Sequence, residues 1–546
     1  MTTIDPQAAA AGEAPADAGA SPAAAALADW LTSTDHKKVG RLFMGASLLV
    51  GIAVVGLGMV LGVERIDATA NVIDAGAAPQ LFSLYRVVLT LGVVAPLLLG
   101  LAIAIVPLQL GARAIALPRL AVAGFWSWLI GTGLVIGSII ANGGPGGGNA
   151  KMVDLFLSAL VLAVAGLVAG AVSVATSVLT TRAPGMNLRR APLFAWSSLV
   201  GALGMILMLP VLAGALVLLY VDHRSGPRTT FGGNAGVNEW IRFALTQPQT
   251  LVYAIPGLGA ALEIVVTASR RRLKMRGVAL IGLGLALSAA IAGVSQVAAT
   301  IRPNLADLSA GQVINDVLPY ALFNLLPLLA VVIVLAMALL AAATGRIRPT
   351  GPVVFGILGV ALIALGLAAN AVYLVGDARL GGTVFDEAAW IAVSYGAVLT
   401  ALGGIAFWGP KLWGRTMADA TTIPLALLGA LGTVLASGSY FIAGFAKQPA
   451  DATTFDYDGP EKLWNILTTV GHGLMLLTVC AFVLLALSSF TGDRSNAAGD
   501  DPWDGQTLEW ATASPAPTDN FAELHAVASS APLLDVKPTA TNGGSR

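Results

Sequence analysis

Apolar segments long enough to cross a bilayer recur along almost the whole chain, and they limit its possible folds more than any other feature. About twenty predominantly apolar residues span the hydrocarbon core of a membrane as one helix. The predicted segments are 42–63, 84–106, 120–141, 153–180, 192–220, 250–268, 277–300, 316–345, 351–374, 386–408, 420–445 and 463–490. The sequence therefore predicts an all-α polytopic membrane bundle of about 12 transmembrane helices.

The composition agrees with this fold class and excludes several functions. Hydrophobic residues make up 56% of the chain and charged residues only 11%, whereas a soluble domain carries about 25% charged residues. The single cysteine, Cys480, excludes an internal disulfide and a cysteine-cluster metal site. The formal net charge is zero, so no basic footprint suggests nucleic acid. We therefore expect the lipid bilayer as a partner, and no nucleic acid.

The two ends of the chain differ in composition from the part between them. Residues 1–29 are rich in Ala, Pro and Gly and predict a disordered N-terminal tail; 30–490 form the membrane domain, and 491–546 a polar C-terminal tail. Basic residues such as Lys37 and Arg272 concentrate at the N-terminus and in the even-numbered loops, and acids in the odd-numbered ones. The positive-inside rule then predicts a multi-pass protein of the cell's inner or plasma membrane with both termini in the cytoplasm.

Residues 394–415, SYGAVLTALGGIAFWGPKLWGR, resemble the tenth transmembrane helix of the heme-copper oxidase catalytic subunit, the cytochrome c oxidase subunit I family. Other stretches resemble that family in the same order and at the same spacing; they are Val106-Pro107-Leu108, Gly111-Ala112-Arg113, Leu117-Pro118-Arg119-Leu120, 182–186, 192–196, 209–214, 256–259 and a segment at 501–521 in the C-terminal tail. The resemblance covers about residues 30–525. It implies the subunit I fold and a place in the respiratory chain, in electron transport and aerobic respiration.

The positions that carry heme ligands in that family hold other residues in this chain. The family's tenth helix carries His-Phe-His, and counting without gaps places Ala388, Ala389 and Trp390 there. A further heme histidine on the second helix aligns with Tyr85, or, if a gap is allowed, with the stretch Thr90-Leu91-Gly92. Neither alanine nor tryptophan binds iron, and no histidine is available on the second helix under either alignment.

The positions that serve copper and protons differ as well. The family's sixth helix carries His-Pro-Glu-Val-Tyr, which supplies a copper ligand, a proton-relay glutamate and a crosslinked tyrosine; the aligned residues are Gln247, Gln249 and Leu251 around Pro248. An amide is a poor copper ligand beside imidazole, and neither Gln249 nor Leu251 ionises. The family's copper-binding His-His pair aligns with 293–294 or 295–296, and its propionate-clamping arginines align with Ala450 and Asp451.

These differences lead to a leading hypothesis and two alternatives. The leading hypothesis is a catalytically silent pseudo-oxidase without heme or copper, with no catalytic or metal site of its own. It would act as a structural or assembly subunit of a respiratory membrane complex beside partners that resemble oxidase subunits II and III. One alternative is a terminal oxidase core that oxidises cytochrome c, reduces O2 and moves protons with heme and copper on other ligands. The other is a transporter or lipid-binding protein that reuses the fold.

Two ionisable residues inside apolar segments are weak candidates for a site. His472 lies in the last segment, where an ionisable group suggests function, but a histidine hydrogen-bonded to a neighbouring helix is the simpler interpretation. Glu263 lies in the sixth segment and is a candidate proton or cation site. For Glu263 the simpler interpretation is an acid at a helix end that pairs with the basic cluster 270–272.

Overall fold

The computed structural model describes residues 28–67, 73–74, 76–145, 147–225, 240–295, 303, 309–345, 347–453, 460–491, 497–521, 523 and 526–536. Within these ranges 12 helices are long and apolar enough to cross a membrane, which confirms the predicted all-α bundle. Their bounds are α1 (His36–Glu64), α2 (Ala78–Leu110), α3 (Pro118–Ile140), α4 (Ala150–Thr180), α5 (Leu193–Arg224), α6 (Leu251–Ser269), α7 (Arg276–Gly293), α8 (Ala310–Thr344), α9 (Gly351–Tyr373), α10 (Phe385–Trp413), α11 (Asp419–Phe445) and α12 (Lys462–Thr491). The end of the predicted seventh segment, 296–300, and the predicted tail at 1–27 lie outside the described residues.

Several helices begin and end at residues whose side chain or backbone suits the position. The carboxylate of Asp35 accepts a hydrogen bond at 2.9 Å from the backbone N–H of Lys37 and so caps the start of α1. The side chain of Asn149 caps α4 in the same way, at 3.0 Å from the N–H of Lys151. A short hairpin of β1 (Gly143–Gly144) and β2 (Gly147–Gly148) joins α3 to α4. The local sequence therefore sets these boundaries.

Three helices form the centre of the bundle. All residues in the most apolar window of α2 and α10 are buried, and 94% of those in α6, whereas only 22% are buried in α12. Helices α9 and α11 flank α10, and α12 packs against both α11 and α1. Most of the predicted site positions thus lie on or beside central helices that lipid does not reach.

Close contact between α9 and α10 depends on small residues. A Cβ atom at Gly396 would lie 2.8 Å from the carbonyl oxygen of Gly359, and one at Gly359 would lie 2.7 Å from the carbonyl oxygen of Gly396. Both distances are shorter than a nonbonded contact allows, so only glycine fits at either position. Small residues of this kind let the backbones of membrane helices approach closely.

The two described ends of the chain meet on one face of the bundle, which we name the terminal face; α1 begins there and α12 ends there. The C-terminal segment (497–521) lies over this face. Its Asn520 accepts a hydrogen bond at 2.9 Å from Nζ of Lys37, and its Asp500 carbonyl accepts one at 2.7 Å from Nζ of Lys411 at the end of α10. We name the opposite face, where α1 ends and α10 begins, the distal face.

Candidate functional site

Trp390 and Tyr85, which the sequence places at two of the family's heme positions, pack against each other in the centre of the bundle. Their ring centroids lie 5.1 Å apart at an interplanar angle of 82°, an edge-to-face arrangement that aromatic pairs favour. The indole N–H of Trp390 donates to the hydroxyl of Thr90 at 3.1 Å. Trp390 and Ala388 are both fully buried. The structure therefore brings these α2 and α10 positions together, and side chains occupy the space between them.

A buried hydrogen-bonded triad connects Tyr85 to the candidate His472. The hydroxyl groups of Tyr85 and Tyr395 lie 3.1 Å apart, and the hydroxyl of Tyr395 lies 2.8 Å from Nδ1 of His472. Gly58 of α1 makes room for this group, because a Cβ atom there would lie 2.8 Å from the ring of Tyr85. The imidazole of His472 thus joins α12 to α10, and through Tyr85 to α2.

Replacing Tyr395 by phenylalanine should destabilise the protein by about 1–3 kcal/mol, because the change leaves two buried partners, Tyr85 and His472, short of a hydrogen bond. The measurement is the free energy of unfolding in mixed micelles of a mild detergent and dodecyl sulfate. The matched control is Tyr220→Phe, since that hydroxyl bonds Arg224 at 3.3 Å on the exposed surface. An equal loss in both variants would contradict a special role for the triad.

A buried ion pair adjoins the triad toward the distal face. The guanidinium of Arg65 donates to the carboxylate of Glu387 at 2.9 Å and to the hydroxyl of Tyr440 at 2.8 Å. The side chains of Arg65 and Glu387 are only 1% and 7% exposed. Burial alone lowers the pKa of Arg65, but the charge of Glu387 and the hydroxyl of Tyr440 together raise that pKa above its ordinary value. Arg65 is therefore charged at any physiological pH and joins α1 to α10 and α11.

A second group of ion pairs forms around Asp386, the acidic residue that precedes Glu387 in α10. Asp386 accepts hydrogen bonds from Arg86 at 2.9 Å and from Arg242 at 3.2 Å. The guanidinium of Arg86 also lies 5.4 Å from the ring centroid of Trp390, within the range of a cation–π contact. The first turn of α10 is thus tied to α2 and to the stretch that precedes α6.

The predicted propionate-clamp positions, Ala450 and Asp451, lie in the loop after α11. The N–H of Ala450 donates to the carbonyl of Gly382 at 2.9 Å, which ties this loop to the chain just before α10. The next carbonyl, that of Ala452, accepts a hydrogen bond from Nε of Arg65 at 3.1 Å. The loop therefore lies beside a buried guanidinium, although that arginine comes from α1 and not from the loop.

The residues aligned with the family's copper and proton positions are buried at the start of α6. The exposed fractions are 6% for Gln247, 4% for Gln249 and 0% for Leu251. Both polar atoms of the Gln247 amide are buried without a hydrogen-bond partner in the part of the chain that the structure describes. A Cβ atom at Gly293 would lie 2.9 Å from Cγ of Gln249. The structure thus brings the predicted proton-relay position of the sixth helix beside Gly293, one of the predicted copper positions of the seventh.

Glu263 serves the start of a neighbouring helix. Its carboxylate accepts hydrogen bonds from the backbone N–H groups of Leu193 at 2.6 Å and Phe194 at 3.4 Å, where α5 begins. An acid at this position satisfies free N–H groups and meets the positive end of the helix dipole. These contacts differ from the expected pairing with the basic cluster 270–272, which sequence spacing suggested.

Two other histidines have structural partners. The imidazole of His36 lies at the terminal face, with Nε2 2.9 Å from the side-chain nitrogen of Asn520. His223, near the end of α5, has Nδ1 2.7 Å from the carboxylate of Asp154. His525 lies outside the described residues. Neither described contact was predictable from sequence spacing, because the partners are far apart along the chain.

The C-terminal segment carries a buried acid at the terminal face. Oε1 of Glu509 accepts hydrogen bonds from Gln109 at 3.0 Å and from the indole of Trp408 at 3.2 Å, while Oε2 is buried without a partner among the described residues. Burial raises the pKa of Glu509 above its ordinary value of 4.5, against hydrogen bonds from Gln109 and Trp408 that lower it. The charged form is therefore disfavoured in the folded state.

Because the folded-state pKa of Glu509 is raised, its stabilising effect is complete below about 4.5 and is lost as the pH rises through the folded-state pKa. We expect Glu509→Gln to remove this loss, so that the variant gains stability over the native protein as the pH increases. Melting temperatures in detergent over this pH range measure the difference. Glu523→Gln, at an exposed position, removes the same charge and should show no such trend; a parallel trend would contradict the assignment.

Sequence comparison places these features in a known family. A sequence model described as Cytochrome C and Quinol oxidase polypeptide I matches residues 38–474. A protein of Streptomyces avermitilis, assigned as cytochrome c oxidase subunit 1-beta, is 28% identical over 95% of this chain and 93% of its own length. Cytochrome c oxidase subunit 1 of Bacillus subtilis is 26% identical over 93% of this chain and 83% of its own. The subunit of the same name from Alkalihalophilus pseudofirmus is 26% identical over 93% and 82%.

The chain belongs to the Cytochrome C and Quinol oxidase polypeptide I family, and it is a multi-pass membrane protein. The prediction that it has no cofactor is wrong on this comparison, because its relatives are cytochrome c oxidase subunit 1 proteins, which carry heme and copper.

The side chains placed by the sequence at the family's ligand positions do not fit these groups. The rings of Tyr85 and Trp390 contact each other, and Gln247 offers only an amide without hydrogen-bond partners among the described residues. Across the described ranges, no group of three or more His, Cys, Asp or Glu residues is placed to hold a metal ion.

Proposed function

We propose that this chain, a member of the cytochrome c oxidase subunit I family, is a catalytically silent subunit with a structural or assembly role in a respiratory membrane complex. The observation that carries the proposal is the buried group at the start of α6. Counting along the resemblance aligns its Gln247, Gln249 and Leu251 with the family's copper, proton-relay and tyrosine positions. None of the three ionises. They therefore cannot transfer a proton to oxygen or hold copper through an imidazole.

The remainder of the centre supports a structural role. The triad of Tyr85, Tyr395 and His472 is hydrogen-bonded within the bundle, and the pair of Arg65 and Glu387 joins helices across its distal end. These groups hold helices together through contacts within the bundle. In this proposal they keep the subunit I shape that partner subunits recognise.

The same proposal includes an orientation and a set of partners. Basic residues such as Lys37, Arg272 and Lys411 favour the terminal face, so we place this face and both termini in the cytoplasm. The partners would be membrane subunits resembling oxidase subunits II and III.

Cysteine labelling tests the orientation. Single cysteines are introduced into an exposed loop of each face, and intact cells are treated with an impermeant maleimide. Labelling at the terminal face would contradict the proposed orientation.

Affinity purification from native membranes in a mild detergent tests the assembly role. A tagged chain should recover other respiratory membrane subunits in fixed proportion, and recovery of the chain alone would contradict the proposal.

The absence of catalysis at this site is tested in the same complex. The variants Gln247→Leu and Gln249→Leu should leave oxygen consumption unchanged, provided that the melting temperature is also unchanged. A fall of roughly 100-fold or more, the usual loss when a proton-transfer group is removed, would assign catalysis to this site.

An active oxidase core is the second candidate, and the names of the relatives favour it. This candidate requires that the purified chain with its partners oxidise reduced cytochrome c and consume oxygen with heme and copper bound to this chain. Heme and copper per chain, from reduced-minus-oxidised spectra and metal analysis, should therefore be measured together with turnover. Turnover that depends on this chain would support the second candidate; assembly without such turnover would support the first.

A further inference from the structure

A large cavity opens at the terminal face, away from the buried positions described above. Its volume is about 940 Å³, within the range of small-molecule sites. The cavity lies at the end of α6 and the start of α9 and α11, where the C-terminal segment crosses them; its lining includes Thr267, Arg270, Arg348, Asp419 and Trp503. Because α6 ends and α9 and α11 begin here, we expect the cavity to lie near the level of the lipid headgroups.

One wall of the cavity is apolar and well packed. Ile264, Val353 and Phe407 contribute to the lining. The ring of Trp503 stacks on Phe407 with centroids 5.7 Å apart at an angle of 22°, and its indole N–H donates to the Phe407 carbonyl at 2.8 Å. The indole N–H is therefore occupied, and Trp503 offers the cavity an apolar face suited to an acyl chain.

The rim of the cavity carries two arginines. Arg270 is 69% exposed, and its Nε lies 4.0 Å from the carboxylate of Asp504, too far for a strong hydrogen bond. Arg348 also lines the cavity. The acid in the lining, Asp419, accepts a hydrogen bond from the backbone N–H of Gly351 at 2.8 Å. One carboxylate oxygen of the acid is thus occupied at the start of α9, and the lining holds two arginines beside this single acid.

A buried hydroxyl completes the polar part of the lining. Thr267 is 1% exposed, and its Oγ1 has no hydrogen-bond partner among the described residues. A buried hydroxyl without a partner is costly. The oxygen is shielded in this conformation, so a ligand reaches it only when the side chain of Thr267 rotates toward the cavity. An anionic or ester oxygen then satisfies the hydroxyl.

We propose that this cavity binds an anionic phospholipid of the leaflet at the terminal face, with its phosphate between Arg270 and Arg348 and an acyl chain along Phe407 and Trp503. After rotation of its side chain toward the cavity, the hydroxyl of Thr267 donates to a phosphate or ester oxygen. Arginine forms paired hydrogen bonds with phosphate oxygens, and anionic lipids concentrate basic groups at the membrane surface. The two arginines therefore favour a negatively charged headgroup, and the apolar wall favours a ligand with an acyl chain.

The test uses the full chain, purified in an uncharged detergent and stripped of lipid. Melting temperature is recorded against increasing phosphatidylglycerol, phosphatidylcholine with the same acyl chains, and inorganic phosphate. Phosphatidylglycerol should raise the melting temperature to a plateau, and the other two should not. An equal response to phosphatidylcholine would overturn the headgroup selection, and an equal response to inorganic phosphate would overturn the lipid as ligand.

Variants locate the site. Arg270→Gln together with Arg348→Gln should weaken the apparent affinity for phosphatidylglycerol by roughly tenfold or more. Thr267→Val keeps the side-chain shape and should weaken it by roughly threefold to tenfold, which keeps the test decisive if the double variant is unstable. The matched control is Arg119→Gln, an exposed arginine of the same face outside the lining; unchanged affinity in the site variants, or an equal loss in the control, would overturn the proposal.

Discussion

Arg65→Met should lower the free energy of unfolding by about 3–5 kcal/mol, because it leaves the buried carboxylate of Glu387 without its charged partner. The two side chains are only 1% and 7% exposed, so water cannot replace the lost guanidinium. Tyr440 and the carbonyl of Ala452 also lose a donor, at 2.8 and 3.1 Å respectively. Unfolding in mixed micelles measures the effect.

The pair Lys462 and Asp67 provides the matched control for Arg65. Its charged atoms lie 3.3 Å apart, but the side chains are 70% and 44% exposed, and Lys462→Met should therefore cost at most about 1 kcal/mol. The double variant Arg65→Met with Glu387→Leu should recover much of the stability, since no unpaired charge remains. A loss in Arg65→Met no larger than in Lys462→Met would show that burial does not govern the pair.

Lys411→Met should release the C-terminal segment from the terminal face. Nζ of Lys411 donates to the carbonyls of Asp500 at 2.7 Å and Ala513 at 3.4 Å, and to the carbonyl of Thr512. The residue itself is 0% exposed. Losing the donor leaves carbonyls without a partner at about 1–3 kcal/mol each. Hydrogen exchange of 497–521 should accelerate by roughly 100-fold, the factor that about 3 kcal/mol gives.

The control for Lys411→Met is Lys447→Met. Lys447 also donates to two carbonyls, those of Arg379 at 2.7 Å and Ala378 at 3.5 Å, but at an exposed site. Water replaces the ammonium group there, so the exchange rates of 497–521 and the stability should change little. If both variants accelerate exchange in the C-terminal segment equally, the docking of that segment does not depend on Lys411.

The spans were predictable because they follow from a local property. Twenty apolar residues that satisfy their own backbone hydrogen bonds form a membrane helix wherever they stand in the chain. The predicted segment 351–374 became Gly351–Tyr373, and 386–408 became Phe385–Trp413. The second helix is longer than its predicted apolar segment because its last turn also includes Lys411 and Trp413. It ends at Gly414, whose φ of 84° is not helical.

The candidate site was predictable only in part. Resemblance to a family selected Tyr85, Trp390 and Gln247 by position, and the structure places the first two in contact. The acids Asp386 and Glu387 directly precede Ala388 in the sequence. The family resemblance assigns them no ligand role, so it did not predict the pairing of Asp386 with Arg86 or of Glu387 with Arg65. One sequence feature could have revealed these ion pairs: two acids at the start of an apolar segment favour buried pairing with a base.

The sequence by itself determined the number of spans, their approximate ends and the family, because each depends on residues close together in the chain or in a fixed order along it. Only the tertiary structure decided the partners of the buried polar groups. Tyr85 and Tyr395 are 310 residues apart, and Arg65 and Glu387 are 322 apart. Such pairs form only when packing of the helices sets their relative rotation and depth, and no local pattern encodes either quantity.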